Sequence, residues 1–242
     1  MTTSTPHGLG TDMRLGAIVS AYPGLARHLE RLELDYCCGG EMTLEDACQA
    51  NDLDPDGVVI ELSTHVSADD APAPWASMEA GDLVDHIMST HHRYLWDELP
   101  RLNALIDKVV GVHGERHPEL AEVARCFAAI RADIEPHLVK EERVLFPAIV
   151  QLEDASTAPT FGFGTIENPI STMLREHDDL GAMLRELRSS TSSYTPPADG
   201  CESYSALFAG LEQLEADTHL HVHKENNLLF PRVIELEEQR SS

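Results

Sequence analysis

Basic residues are scarce in this chain. Lys and Arg total 17 against 42 Asp and Glu, a formal net charge of −25. Such acidity repels phosphate backbones and anionic headgroups, which argues against nucleic acid and membrane surfaces as partners. Long apolar runs are missing as well. None reaches the roughly 18–20 residues that cross a bilayer, and the opening MTTSTPHGLGTDMR carries no apolar secretion core. Cysteine is sparse and odd in number, five residues with Cys37 and Cys38 adjacent. That suits a reducing compartment better than a disulfide framework. These absences together predict a cytoplasmic protein.

Strand-like alternation is also rare, whereas apolar residues recur at spacings of three and four, so the fold class expected is all-α. VSADDAPAPWASM, around residues 66–78, has the composition of a linker. It divides the chain into a small helical domain over 1–70 and a larger one over 79–240. In the first, helices are expected near 13–21, from Pro23 to about Glu33, after Thr43 and after Pro55, with Thr43 and Asp46 as N-cap and N3. In the second, helices at about 79–110, 117–154, 168–191 and 202–238 make an antiparallel four-helix bundle the default. Pro136, Pro147 and Pro231 predict kinks or terminations.

The chemistry lies in a repeat. Residues 137–147 read HLVKEERVLFP and residues 221–231 read HVHKENNLLFP. On a helix, His137 with Glu141 and His221 with Glu225 present imidazole and carboxylate on one face. An isolated pair of this kind is ordinarily an exposed ion pair. Here each pair lies on an apolar stripe: Ile130, Ile134, Val144 and Ala148 for the first, Leu214, Thr218 and Leu228 for the second. A carboxylate buried without a partner is costly, so a metal is the economical reading. His177 lies inward with Ile170, Met173, Leu174, Leu180 and Leu184. In the first bundle helix the stripe Met88, Leu95 and Leu99 favours His92, and the stripe Val84, Ile87 and Leu95 favours His91. His92 is preferred because it stands almost as far from His177 as the two motifs stand from each other, which makes two duplicated hairpins. Four imidazoles and two carboxylates suit two carboxylate-bridged metals, with iron favoured over manganese or zinc. Glu-x-x-His spacing of the ferritin type is absent at these positions. His7, His28, His65, His113, His117, His219 and His223 are expected at the surface, and Cys48 and Cys126 are expected to be structural.

Several motifs occur together: LDYCCGG at 34–40, DHI followed by His92, HLVKE with LFP, EHD at 176–178, TPP before Cys201, and HVHKENNLLFP. In this conjunction the chain resembles the hemerythrin-like di-iron proteins, and among them the repair of iron centres group, over about residues 10–238. The resemblance implies two non-haem iron ions (Fe) held by His92, His137, Glu141, His177, His221 and Glu225, with Glu141 and Glu225 bridging. It implies repair of iron-sulfur clusters damaged by oxidative or nitrosative stress, through iron donation or nitric oxide reduction at the di-iron centre. The alternative is a non-catalytic binder or sensor of oxygen, nitric oxide or iron. The partners implied are damaged iron-sulfur proteins and nitric oxide or oxygen; the oligomeric state, a homodimer among the options, stays open. Oxygen carriers of this type have a further His where this chain has Gly181, which implies a more open site. For Cys37 and Cys38, a packing role in a turn whose Gly39 and Gly40 take positive φ competes with a thiol relay, and the resemblance favours the relay.

Overall fold

The computed structural model describes residues 8–66 and 72–241, and among them it contains helices and turns but no strand beyond two isolated bridges. Four short helices open the chain: α1 (Leu15–Ala21), α2 (Ala26–Arg31), α3 (Leu44–Ala50) and α4 (Pro55–Ser63). Their starts obey local chemistry. Thr43 Oγ1 accepts the Asp46 N–H at 3.1 Å and donates to its carboxylate at 2.7 Å. Asp54 caps α4, where Pro55 takes the first position and loses no helical hydrogen bond. Leu15, Ile18, Leu29, Leu44, Val59 and Leu62 make a core of their own, and Val222 from the far end of the chain joins it.

Four long helical rods come next. The first comprises α5 (Ala80–Ile87) and α6 (Arg93–His113), and the second α7 (Leu120–Lys140) and α8 (Phe146–Asp154). The third is α9 (Glu167–Ser190), and the fourth comprises α10 (Glu202–Lys224) and α11 (Phe230–Ser241). Residues early in the first and third rods meet residues late in the second and fourth, so successive rods run in opposite directions. Leu95, Leu99, Phe127, Ile130, Leu184 and Leu211 belong to the core at one end, and Ile87, Phe146, Ile149, Ile170 and Phe230 to the core at the other.

Three rods are interrupted by one wide π-turn each: Met88–His92, Glu141–Leu145 and Glu225–Leu229. A π-turn inserts a residue and rotates the helix beyond it. The inward positions therefore move on by one, from the expected Val144 and Leu228 to Leu145 and Leu229, while Val144 is 47% exposed and Leu145 1%. Met88 likewise lies at the surface. None of the three prolines ends its rod. Pro147 and Pro231 come after wide turns, within the first turn of α8 and α11, and α7 continues through Pro136 to Lys140.

Of the expected linker, residues 67–71 lie outside those described. Pro74–Ser77 form a 3-10 turn, and Trp75 packs against both the small N-terminal core and the adjacent end of the bundle core.

Candidate metal centre

The six expected metal residues come together in the bundle interior, each of them buried. They form two groups whose candidate ligand atoms lie within 4.8 Å of one another: His92, Glu141, His221 and Glu225, and His137, Glu141, His177 and Glu225. Both carboxylates belong to both groups, and each divides its oxygens between them. Glu141 turns Oε1 to His137 Nε2 at 3.2 Å and Oε2 to His92 Nε2 at 3.4 Å. Glu225 turns Oε1 to His221 Nε2 at 3.1 Å and Oε2 to His177 Nε2 at 3.2 Å. The histidines of one group come from the first and fourth rods, and those of the other from the second and third.

The π-turns position these groups. Each carries a site residue at one of its ends, His92, Glu141 or Glu225, and the inserted residue buries His91 beside His92. A strict 3.6-residue period has room for only one of them on the inward face. Both nitrogens of His91 are engaged elsewhere: Nδ1 donates to Asp217 at 2.9 Å and Nε2 accepts from Lys224 Nζ at 2.6 Å. Its ring stacks on His221, with centroids 5.5 Å apart and planes 8° apart. His92→Ala is accordingly expected to lower metal content and change the ligand-to-metal absorption. His91→Ala is expected to keep the metal and shift the spectrum only slightly, and the reverse order would refute this register.

Three of the four inward histidines are held from behind. His92 Nδ1 donates to Glu142 at 3.0 Å, His137 Nδ1 to Glu176 at 2.9 Å and His177 Nδ1 to Asn226 at 2.7 Å. Each hydrogen bond leaves Nε2 directed into the cavity, the arrangement that metal-ligating imidazoles use. Glu142, Glu176 and Asn226 were not singled out from sequence. A signal did exist for two of them, since Glu142 and Asn226 occupy equivalent places in the repeated motif and hold equivalent histidines.

The donor set fits a metal on its own terms. Glu141 and Glu225 are fully buried, yet Glu141 Oε1 and Oε2, Glu225 Oε2 and His92 Nε2 have no hydrogen-bond partner of acceptable geometry. Burial pushes the Glu225 carboxyl up, and His221 and His177 overcome it, holding the group well below the usual carboxylate range. Burial opposes a charge on His137, but Glu141, Glu176 and Glu225 raise it to about 10. A site that so strongly favours positive charge among bare carboxylate oxygens fits bound metal cations.

Cys37 and Cys38 lie beside this centre, in the turn after α2. Asp35 Oδ1 accepts the N–H groups of Cys37 and Cys38 at 3.1 and 2.9 Å, closing the turn. Gly39 and Gly40 do not adopt positive φ, contrary to expectation. Close approach demands them instead: a Cβ on Gly39 would stand 2.7 Å from the Asp35 carbonyl, and one on Gly40 would strike the Asn227 amide. Asn227 Nδ2 donates to the Cys37 carbonyl at 3.0 Å, and Cys38 Sγ lies 3.7 Å from the carbonyl of His177. The Cys37 thiol, hydrogen-bonded to Cys38 and buried, is pushed well above its usual range.

Not all the remaining histidines lie at the surface. His113 and His223 are buried. His223 is a packing residue that meets Trp75 edge-on at 5.6 Å and lies 3.3 Å from Ser20 Oγ through Nε2. His7 lies outside the described residues.

Residues 83–233 match the family described as the hemerythrin HHE cation binding domain, and residues 11–65 match a domain of unknown function, DUF542. The iron-sulfur cluster repair protein YtfE of Enterobacter sp. (strain 638) is 33% identical over 224 residues, covering 92% of this chain and 97% of that protein. The protein of the same name from Edwardsiella ictaluri is 34% identical over 223 residues, with the same coverage. With a buried His/Glu cage whose two groups share both carboxylates in a four-helix bundle, and this likeness along nearly its whole length, the chain belongs to the hemerythrin HHE family and, within it, to the iron-sulfur cluster repair proteins.

Proposed function

We propose that the chain holds two non-haem irons between His92, His221, His137 and His177, bridged by Glu141 and Glu225, and uses them to repair iron-sulfur clusters damaged by oxidants or nitric oxide in the cytoplasm. The observation that carries this reading is the sharing of two buried carboxylates by two His/Glu groups. Bound there, the irons would supply one-electron redox chemistry and affinity for nitric oxide or oxygen. Glu142, Glu176 and Asn226 fix the ring orientations, and the apolar residues around the cage limit the approach of water. Cys37 and Cys38 serve as the thiol relay. Cys38 is the outer member, half-buried against the third rod, and Cys37 is the proton-retaining inner member. Damaged iron-sulfur proteins are the partners, and nitric oxide or oxygen the small ligand.

The test is iron analysis of the purified protein together with reactivation of a nitric-oxide-treated hydratase that carries a [4Fe-4S] cluster. About two irons per chain and recovery of hydratase activity are expected. Iron passing from this protein to the hydratase would mark a donor, and nitric oxide consumed at constant iron content would mark a reductase. Two irons with no reactivation by either route would leave a binder or sensor and overturn the repair reading.

A further inference from the structure

At the start of the fourth rod, away from the metal cage, Cys201 stands as N-cap of α10, twenty residues before His221. At the helical rise this is about 30 Å away. Its side chain is exposed, and it meets a buried imidazole: His113 Nε2, from the end of α6, lies 3.1 Å from Cys201 Sγ. The other ring nitrogen sets the tautomer. Arg116 Nη2 donates to His113 Nδ1 at 3.4 Å, so the neutral ring carries its proton on Nε2 and directs that N–H at the sulfur. The ring is 3% exposed and packs edge-on against Tyr204 at 5.5 Å, so the donor is fixed in place.

We propose that Cys201 and His113 form a nucleophilic thiol site that takes low-molecular-weight disulfides. The imidazole N–H, 3.1 Å from the sulfur, favours the thiolate, the form that attacks. Thiolate attack on one sulfur of the disulfide forms a Cys201 S–S bond and breaks the original one. The other half leaves as a thiolate that takes a proton from water. Cys201 sulfur is oxidised and the departing sulfur is reduced, so no further oxidant is needed.

The surroundings agree with this assignment. The backbone N–H of Tyr204, above all, and that of Ser203 lower the Cys201 thiol from its usual value, with Lys108 adding to them against the effect of burial. The other groups facing the pair are balanced among themselves. Arg116 Nη1 lies 3.1 Å from Asp199, and His117 bridges Glu119 at 2.9 Å and Asp199 at 3.1 Å. Among the other cysteines, Cys37, Cys48 and Cys126 are buried, and their thiols are raised.

The experiment treats the full-length protein with glutathione disulfide from pH 5.5 to 10 and tracks each cysteine by peptide mass mapping. Cys201 should carry the first adduct, at about ten times the rate of any other cysteine at pH 7. Its rate should be half-maximal below the ordinary thiol midpoint of about 8.5. His113→Phe keeps the ring and removes the donor. Arg116→Met acts at an exposed position and removes the donor to His113 Nδ1. Both should slow Cys201 at pH 7, the first about tenfold, with rates converging above pH 9. A wild-type midpoint at or above 8.5 would overturn the proposal even if His113→Phe failed to fold. A first adduct elsewhere, or unchanged pH 7 rates in both variants, would overturn it as well.

Discussion

Glu225→Ala should empty the metal centre, not halve it. Glu225 belongs to both His/Glu groups, and its two oxygens face different histidines, His221 at 3.1 Å and His177 at 3.2 Å. Removing the carboxylate therefore takes one ligand and one unit of compensating charge from each ion at once. Glu141→Ala should behave alike, because Glu141 divides its oxygens between His137 and His92 in the same way. Iron should fall from about two per chain to near zero in both variants, while Asp133→Ala, at an exposed position of α7, should retain both irons. Glu142→Gln and Glu176→Gln act one step removed and should weaken metal affinity by roughly 10- to 100-fold. Retention of one firmly bound iron in Glu225→Ala would mean that the carboxylates serve separate ions.

The second large effect concerns the N-terminal unit. A chain starting at Trp75 should fold and bind iron, because every cage residue lies in the four rods. It should also be less stable. Val222 would leave the core that it shares with Leu15, Ile18 and Leu29, Leu220 would lose its cover, and Asn226 would lose the Cys37 carbonyl at 3.3 Å. Exposing two such side chains costs about 2–3 kcal/mol, or a fall of roughly 5–10 °C in Tm for a domain of this size. Since Asn226 also orients His177, the fragment should yield iron to a chelator faster than the full chain. Full-length Cys37→Ser/Cys38→Ser should keep its iron and spectrum yet reactivate the damaged hydratase more slowly, because a hydroxyl is neither a soft ligand nor a comparable nucleophile. A fragment unable to hold iron, or full reactivation by the serine variant at equal iron loading, would refute this division of labour.

Much of the cage was legible in the sequence because i,i+4 spacing on an apolar face is a local property. His137 with Glu141 and His221 with Glu225 arise from one helical turn each, and the choice of His92 rested on the repeat. Two misplaced stripe members had a common cause: the period of 3.6 has no means of anticipating a π-turn, so Val144 and Leu228 stood in for Leu145 and Leu229, whereas Leu174, 37% exposed on the uninterrupted α9, lies at the edge of its stripe. His223 and His113 were assigned to the surface because their burial depends on what crosses over them, Trp75 in one case and Tyr204 in the other. The need for glycine at 40 was visible, but its reason was not, because Asn227 approaches from the far end of the chain.

The chain has only two tryptophans, and they stand at different places. Trp96 donates through Nε1 at 2.9 Å to the Glu142 oxygen that also holds His92. Trp75 lies between the N-terminal core and the bundle, with the Lys224 ammonium 5.1 Å from its ring centre. Intrinsic fluorescence thus carries two separable signals, one from the cage and one from the seam between the domains. With Trp75 replaced by Phe, emission reads the cage through Trp96; with Trp96 replaced by Phe, it reads whether the N-terminal unit is seated. A single optical titration on the two variants would order the events, telling whether the seam opens before, with or after a change at the cage.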